Sequence, residues 1–458
     1  MEKGMGNINL DITPIWVEGT IKEAKIQLTL EGCTFKQGEK LLAFTEEIYG
    51  IPSNVLWESI HLADDNGELR FECQEERHQH RTEKWMIVQK ETKGSIFLSY
   101  ETKFNPARPN PVMDMGYEPN GITGTGYSWL PVLPDGKYEV QMQFHKEEVP
   151  KECRLLCGYG EDEILMKLDS TGLLDVFYCF GIVKAVEEEN FGYYWMDRDG
   201  FDATEVAAWT KDLFLKMAEF FRDTKETYKI FARARSCHGS GGVAATRSYT
   251  YIYDPDNLPD FSALKFLFAH EMVHNWAHMQ DKPYGTCTWY VEGMADYYSM
   301  VLPWRFGMVT REELIIQLQS CVDQYYENPC RIMQNRELGD LLFHDLEATT
   351  VPYGRGLFYL MQVDKRIREK TGGKKNLDAV FQVLRGLDLK GEKLQNGAWL
   401  RAVWEEAGLD ETEYLLLLAQ GELILPELSC FEQAFLQAVE REAVLRRSGE
   451  ACISYTVK

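Results

Sequence analysis

The sequence predicts a multidomain α+β protein: an N-terminal β-sandwich over residues 1–200, an α+β module over 201–375 and a helical C-terminal region over 376–458. Three observations predict it. The chain has 458 residues, more than one hydrophobic core usually serves. Alternating, β-rich runs are concentrated in its N-terminal part, and beyond them apolar residues recur mainly at helical spacing.

Taken in order, "AKIQLTL", "LRFECQ", "WMIVQKE", "SIFLSYETKF" and "KYEVQMQF" alternate or carry β-branched and aromatic residues between turn signals. That is the pattern of an antiparallel sandwich. The stretch 105–131 is rich in Pro and Gly and reads as a long loop. In "DATEVAAWTKDLFLKMAEFFRDTKE" the apolar residues follow a helical period, with Asp202 or Thr204 placed to cap it. "YKIFARA" and "SYTYIYD" follow as strands, and "HEMVH" lies on the next helix. From about Thr310 onward the pattern is helical, interrupted at "PYGRG" and "EKTGGKK". The final run "EQAFLQAVEREAVLRRSGE" predicts an amphipathic helix. There is no internal repeat and no low-complexity tract.

Hydrophobic residues make up 45% and charged residues 26%, as in a soluble globular protein. The net charge of −23, from 49 basic and 72 acidic side chains, argues against nucleic acid or an anionic membrane as the main partner. The segment "MEKGMGNINLDITPIW" lacks the apolar core of a secretory signal, and no stretch reaches the ~18 apolar residues of a membrane span. The 11 cysteines are odd in number, scattered and without a CxxC pair. Cys153 with Cys157, and Cys321 with Cys330, are close enough in sequence to bridge, but free thiols in a reducing cytoplasm are the expectation.

The stretch "HEMVHNWAH" carries histidines at 270, 274 and 278. On a helix, imidazoles four residues apart share a face and converge on one ion, whereas the first and third are ~12 Å apart. Glu271 selects the first pair, since a carboxylate beside the first ligand can take a proton from zinc-bound water. The second pair has Asn275 at that place, and an amide cannot act as the base. His270 and His274 are therefore the expected ligands, and His278 a structural bystander. A catalytic zinc needs a third protein ligand and an open position. Glu292, in "TCTWYVEGMADYYSM", lies on the next helix after the turn "QDKPYG" and can supply it. Asp296 shares its face and is placed to accept the other ring N–H of a ligand histidine. Two nitrogens and one oxygen predict a single Zn2+ ion.

"HEMVHNW" followed by "WYVEGMADYY" resembles the gluzincin metallopeptidases, and within them the glycyl aminopeptidase family, relatives of the aminopeptidase N and leukotriene hydrolase enzymes. "GGVAATRS" sits where that family has a Gly-Gly-Leu-Glu-His strand. "RFGMVTREEL" and "VPYGRGLFYLMQVDKRIREKTGGKKNLDAV" resemble the segments that follow its Glu helix. The similarity is specific from about Gly239 to Val380; upstream it rests on the β-rich half. The resemblance implies a thermolysin-like catalytic module and zinc-dependent hydrolysis of small peptides, with Glu271 as general base and Tyr353 donating to the oxyanion. It also implies that Gly241, Gly242, Val243 and Ala244 bind a peptide substrate as an added strand. One departure is Ala244, where the family has the Glu that holds the substrate's α-amino group, so an endopeptidase, a hydrolase of modified peptides or a peptide binder without turnover are the alternatives. Arg355 falls where relatives often have Lys.

Weaker patterns have bland readings. His78 and His80 in "HQH" suit a solvated turn. Cys237 and His238 are adjacent, so on a strand they point oppositely. Arg233 and Arg235 share a strand face and are expected to pair with acidic residues.

Overall fold

Sheet alternation and helical periodicity both become visible in the computed structural model, which describes residues 6–78, 81–107, 114–196, 203–223, 227–234, 241–254, 256–257, 260–342 and 344–458. Two compact units form: residues 1–211 with 224–259, and residues 212–223 with 260–458. The sequence segments 1–200, 201–375 and 376–458 are thus distributed over two units. Strands from residues 228 to 253 pack with the first, and residues 376–458 with the second. No helix among the described residues is long and apolar enough to cross a membrane.

The first unit is built from sheets. Gly6–Val17 and Thr20–Glu31 alternate buried and exposed positions and pair antiparallel at the centre of a seven-stranded sheet. Ile96–Lys103 extends it on one side and Lys137–Phe144 on the other. The antiparallel expectation meets one exception, because Gly6–Val17 runs parallel to Lys137–Phe144. A four-stranded sheet around Lys40–Ile48 and Arg81–Val88 and a six-stranded sheet around Gly121–Thr125 and Phe177–Gly181 share its apolar core, which holds Leu28, Phe44, Trp129 and Phe180. A second cluster, including Leu156, Phe177 and Phe231, joins the six-stranded sheet to a mixed five-stranded one. That sheet runs Val183–Glu188, Phe191–Met196, Tyr228–Ala234, Ser248–Tyr253, Gly241–Ala245, so the last is an edge strand.

The expected loop over 105–131 is corrected in its described part. Gly116–Glu118 and Gly121–Thr125 form a buried antiparallel hairpin. Gly124 is required there by close approach, since a Cβ would collide with the Asp114 carbonyl oxygen. A glycine in the sequence does not distinguish that cause from a turn.

The second unit is mainly helical. Helix α1 (Thr204–Phe220) contributes its C-terminal part. Then come α2 (Phe261–Val273), α3 (Thr288–Arg305), α4 (Arg311–Tyr326), α5 (Asn335–Leu341), α6 (Leu346–Thr371), α7 (Leu377–Asp388), α8 (Asn396–Ala407) and α9 (Thr412–Ala419). α6 ends where expected, on Gly372 in the left-handed conformation with φ 62°. The expected break at "PYGRG" is absent, and α6 runs straight through it. Its glycines serve packing instead. A Cβ on Gly354 would lie 2.5 Å from that of Tyr325, and one on Gly293 of α3 would lie 2.6 Å from the backbone of Gly356.

The expected C-terminal helix is also corrected. Ala438–Val444 pairs antiparallel with Ala451–Val457. The α4 side chain of Gln319 donates to the Tyr455 carbonyl at 2.9 Å and accepts from the Val457 amide at 2.8 Å. Arg441 reaches back to Asp323 and Glu327. Tertiary pairing outweighs the helix propensity of the Ala, Glu and Arg residues in that run.

Candidate metal centre

Helix α2 is apolar almost all round, which suits a fully buried helix. Asp260 caps it, its carboxylate accepting from the Ser262 amide at 2.9 Å. The helix ends at Val273, with His274 as its C-cap in the αR conformation. His278 therefore lies beyond the helix, and its ring pairs with Asp388 at 3.0 Å. His278 is not among the ligating side chains that come together, and the continuous three-histidine helix expected from the sequence is corrected.

The turn into α3 is organised by Asp281. Its carboxylate accepts from the Cys287 amide at 2.6 Å and from the Thr288 hydroxyl. Asn396 then fixes the first turn of α3, accepting from the Trp289 indole at 3.1 Å and donating to the Thr286 carbonyl at 3.1 Å. Asp281 acts within the turn itself, whereas Asn396 carries no sequence signal because its partners lie more than 100 residues away.

These supports bring His270, His274 and Glu292 together. The two Nε2 atoms are 3.1 Å apart, and Oε2 of Glu292 lies 3.4 Å from the first and 3.5 Å from the second. Four ligands at about 2.0–2.2 Å around a tetrahedral zinc are separated by roughly 3.3–3.5 Å, so the triangle fits the ion. Oε2 of Glu292 is buried without a hydrogen-bond partner, an arrangement that costs free energy unless a cation or donor satisfies it. No other group of three or more ligating side chains lies close enough to hold an ion among the described residues.

The surroundings orient the ligands. Asp296 accepts from Nδ1 of His270 at 2.8 Å, which places the hydrogen there and directs the Nε2 lone pair toward the triangle. Burial disfavours the charged form of His270, but Asp296 and Glu292 outweigh it and hold its pKa well above the ordinary histidine value. Burial dominates at His274 and depresses its pKa to about 4. Burial opposes ionisation of Glu292, yet the two histidines and Tyr353 keep its pKa below the usual carboxylate range.

The Tyr353 ring stacks on His270, with centroids 5.6 Å apart and planes 12° apart. The Glu292 charge, then burial and the charges of Glu271 and Asp296, push the tyrosine pKa well up, so it stays a hydrogen-bond donor. Glu271 is buried on α2, and its charge is felt by both His270 and Tyr353. Gly241, Gly242, Val243 and Ala244 belong to the first unit, in the edge strand Gly241–Ala245, which pairs with Ser248–Tyr253.

The remaining sequence candidates are structural. Arg355 is fully buried and donates to the Arg331 and Met333 carbonyls, each at 2.8 Å, tying the 331–335 segment to α6. Arg233, also fully buried, pairs with Asp114. Cys153, Cys157, Cys321 and Cys330 are not joined in disulfides. His80, Arg235, Asp202, Cys237 and His238 lie outside the described residues.

Residues 264–340 match the model of the M61 glycyl aminopeptidase family, so over this segment the chain is related to the gluzincin aminopeptidases. No curated protein matches the chain. Among solved structures, an aminopeptidase N family protein from Idiomarina loihiensis is similar in fold at 14% identity and a TM-score of 0.73, covering 95% of this chain and 79% of that one. An M1 zinc metallopeptidase from Deinococcus radiodurans, a mutant bound to a Tyr-Ser-Ala substrate, is similar at 13% identity and a TM-score of 0.55, covering 93% and 95%. The same enzyme without the mutation gives 13% identity and a TM-score of 0.53 over the same shares.

Proposed function

We propose that the chain is a zinc-dependent metallopeptidase with a thermolysin-like module, acting as an aminopeptidase on small peptides. The observation that carries this reading is the triangle of His270, His274 and Glu292, whose edges suit tetrahedral zinc and whose carboxylate oxygen is buried without a hydrogen bond. The family match over residues 264–340 supports it, as does the similar fold of an M1 zinc metallopeptidase that binds a tripeptide.

His270, His274 and Glu292 would hold one Zn2+ ion. Zinc supplies Lewis-acid polarisation of a carbonyl and lowers the pKa of a coordinated water. Glu271 takes the proton from the attacking water and returns it to the departing amine. Tyr353, kept protonated by its neighbouring carboxylates, donates its hydroxyl to the carbonyl oxygen as negative charge develops there. Asp296 keeps the proton of His270 on Nδ1. The strand Gly241–Ala245, last in its sheet among the described residues, pairs with an extended peptide through Gly241, Gly242, Val243 and Ala244.

A second reading is endopeptidase action or hydrolysis of N-blocked peptides. It is favoured by the composition of that edge strand, Gly-Gly-Val-Ala-Ala, which contains no carboxylate to meet a substrate ammonium. A peptide-library digest read by mass spectrometry, comparing wild type, Glu271→Gln and chelated protein, tests both. Trimming of single residues from free N-termini supports the aminopeptidase, whereas cuts that persist in N-acetylated peptides support the second reading. No cleavage by a zinc-loaded wild type leaves a peptide binder and refutes both.

A further inference from the structure

The turn that carries His274 is anchored on both sides to one buried arginine. Because His274 is the C-cap of α2, one place past its last residue Val273, its backbone lacks the continuing ladder that makes a helix interior rigid. The chain beyond it curls tightly, the amides of Trp276 and Ala277 both donating to the Val273 carbonyl, at 2.9 and 3.0 Å. Trp276 is buried, stacked on Phe221 with centroids 4.7 Å apart and planes 26° apart. Its indole N–H donates to Oδ2 of Asp223 at 2.8 Å. Arg385 lies 3.7 Å from that same oxygen and donates to Oδ2 of Asp388 at 2.8 Å. Asp388 Oδ2 in turn pairs with Nδ1 of His278 at 3.0 Å. The residues two and four places past His274 therefore each reach an aspartate, and Arg385 joins the two aspartates.

We infer that Asp223, Arg385 and Asp388 form a positioning cluster that fixes the ring of His274 by holding the turn that follows it. This inference rests on the reading of His274 as a zinc ligand. A buried carboxylate is tolerated beside Trp276 because Arg385 offsets its charge. The indole N–H converts that charge into a directional restraint on the turn, which apolar stacking alone does not supply. None of the three touches the metal triangle, so their effect is on where the imidazole stands.

The test measures zinc dissociation constants by chelator competition, and the visible spectrum of the Co2+-substituted protein, for the full chain and its variants. Trp276→Phe keeps a stacking ring and removes the N–H. It is expected to weaken zinc binding about tenfold, the lower end for loss of an outer hydrogen-bond partner, and to shift the Co2+ band. Asp223→Ala should do the same, and Asp223→Asn, which keeps an acceptor for the indole, should recover most of the affinity. Should Asp223→Ala not fold, Trp276→Phe and the exposed His278→Ala carry the comparison. Wild-type affinity and spectrum in Trp276→Phe and His278→Ala overturn the inference, as does an Asp223→Asn protein no better than Asp223→Ala. A wild type that binds no zinc overturns the metal reading, and this inference with it.

Discussion

The two histidines of the triangle differ in charge preference although one helical turn separates them. His270 is hydrogen-bonded to Asp296 and lies beside the Glu292 carboxylate, which together hold its pKa well above the ordinary histidine value, while burial lowers that of His274 to about 4. On the proposed zinc reading, metal binding is expected to release a proton from His270 and none from His274. The sign follows: affinity falls as pH drops below the raised pKa of His270 and rises as pH increases toward it. Titration calorimetry in buffers of different ionisation enthalpy should show proton release on zinc binding near neutral pH, and a buffer-independent enthalpy would refute the assignment. Tyr353 gives a second outcome at this scale. Phenylalanine keeps the ring stacked on His270 and removes the donor, so kcat should fall roughly 10²–10³-fold with KM little changed. Steady-state kinetics matching wild type would remove Tyr353 from the mechanism. His270, His274 and Glu271 were legible because helix geometry alone spaces them, and Glu292 because it falls on the next helix after a short turn. Asp223 and Asn396 were not, since their partners Trp276 and Trp289 lie 53 and 107 residues away in the chain.

Elements explain why Tyr353 stands beside Glu292. Helices α3 and α6 approach closely at Gly293 and Gly356, where each residue's missing side chain makes room for the other's backbone. Three positions back on α6 is Tyr353, and one position back on α3 is Glu292, so the crossing brings both to the triangle. A Cβ at Gly356 would collide with the Trp289 carbonyl oxygen. Gly356→Ala should therefore cost about 1–3 kcal/mol, as overpacking does, and lower activity by displacing Tyr353. Gly397→Ala in α8 is the control: a Cβ there meets nothing within 4 Å, and the change should be neutral or stabilising by up to about 1 kcal/mol. Denaturant unfolding compares the two, and equal stabilities would contradict the packing argument. Strands such as Lys137–Phe144 and Tyr228–Ala234 were legible from alternation and β-branched or aromatic content. The hairpin around Gly121 and the unbroken α6 were not, because glycine marks close packing and chain reversal alike.

At the scale of the whole molecule, His270, His274, Glu292, Glu271, Asp296 and Tyr353 all belong to the second unit, whereas the edge strand Gly241–Ala245 belongs to the first. An ion that binds only the folded second unit stabilises it by RT ln(1 + [L]/Kd), about 4 kcal/mol when free zinc is a thousandfold above its dissociation constant. The first unit has apolar cores of its own, formed by its sheets, and holds none of these ligating residues. Heating should consequently give two transitions rather than one, and a single unfolding free energy would not describe the chain. Differential scanning calorimetry with and without a chelator separates the units. Chelation should lower the transition of the second unit by several degrees and leave that of the first within error. Glu292→Gln, which removes one ligand charge, should make the second transition insensitive to zinc concentration while it stays near its chelated position. If both transitions moved together on chelation, the stabilising effect of the ion would extend beyond the unit that holds its ligands.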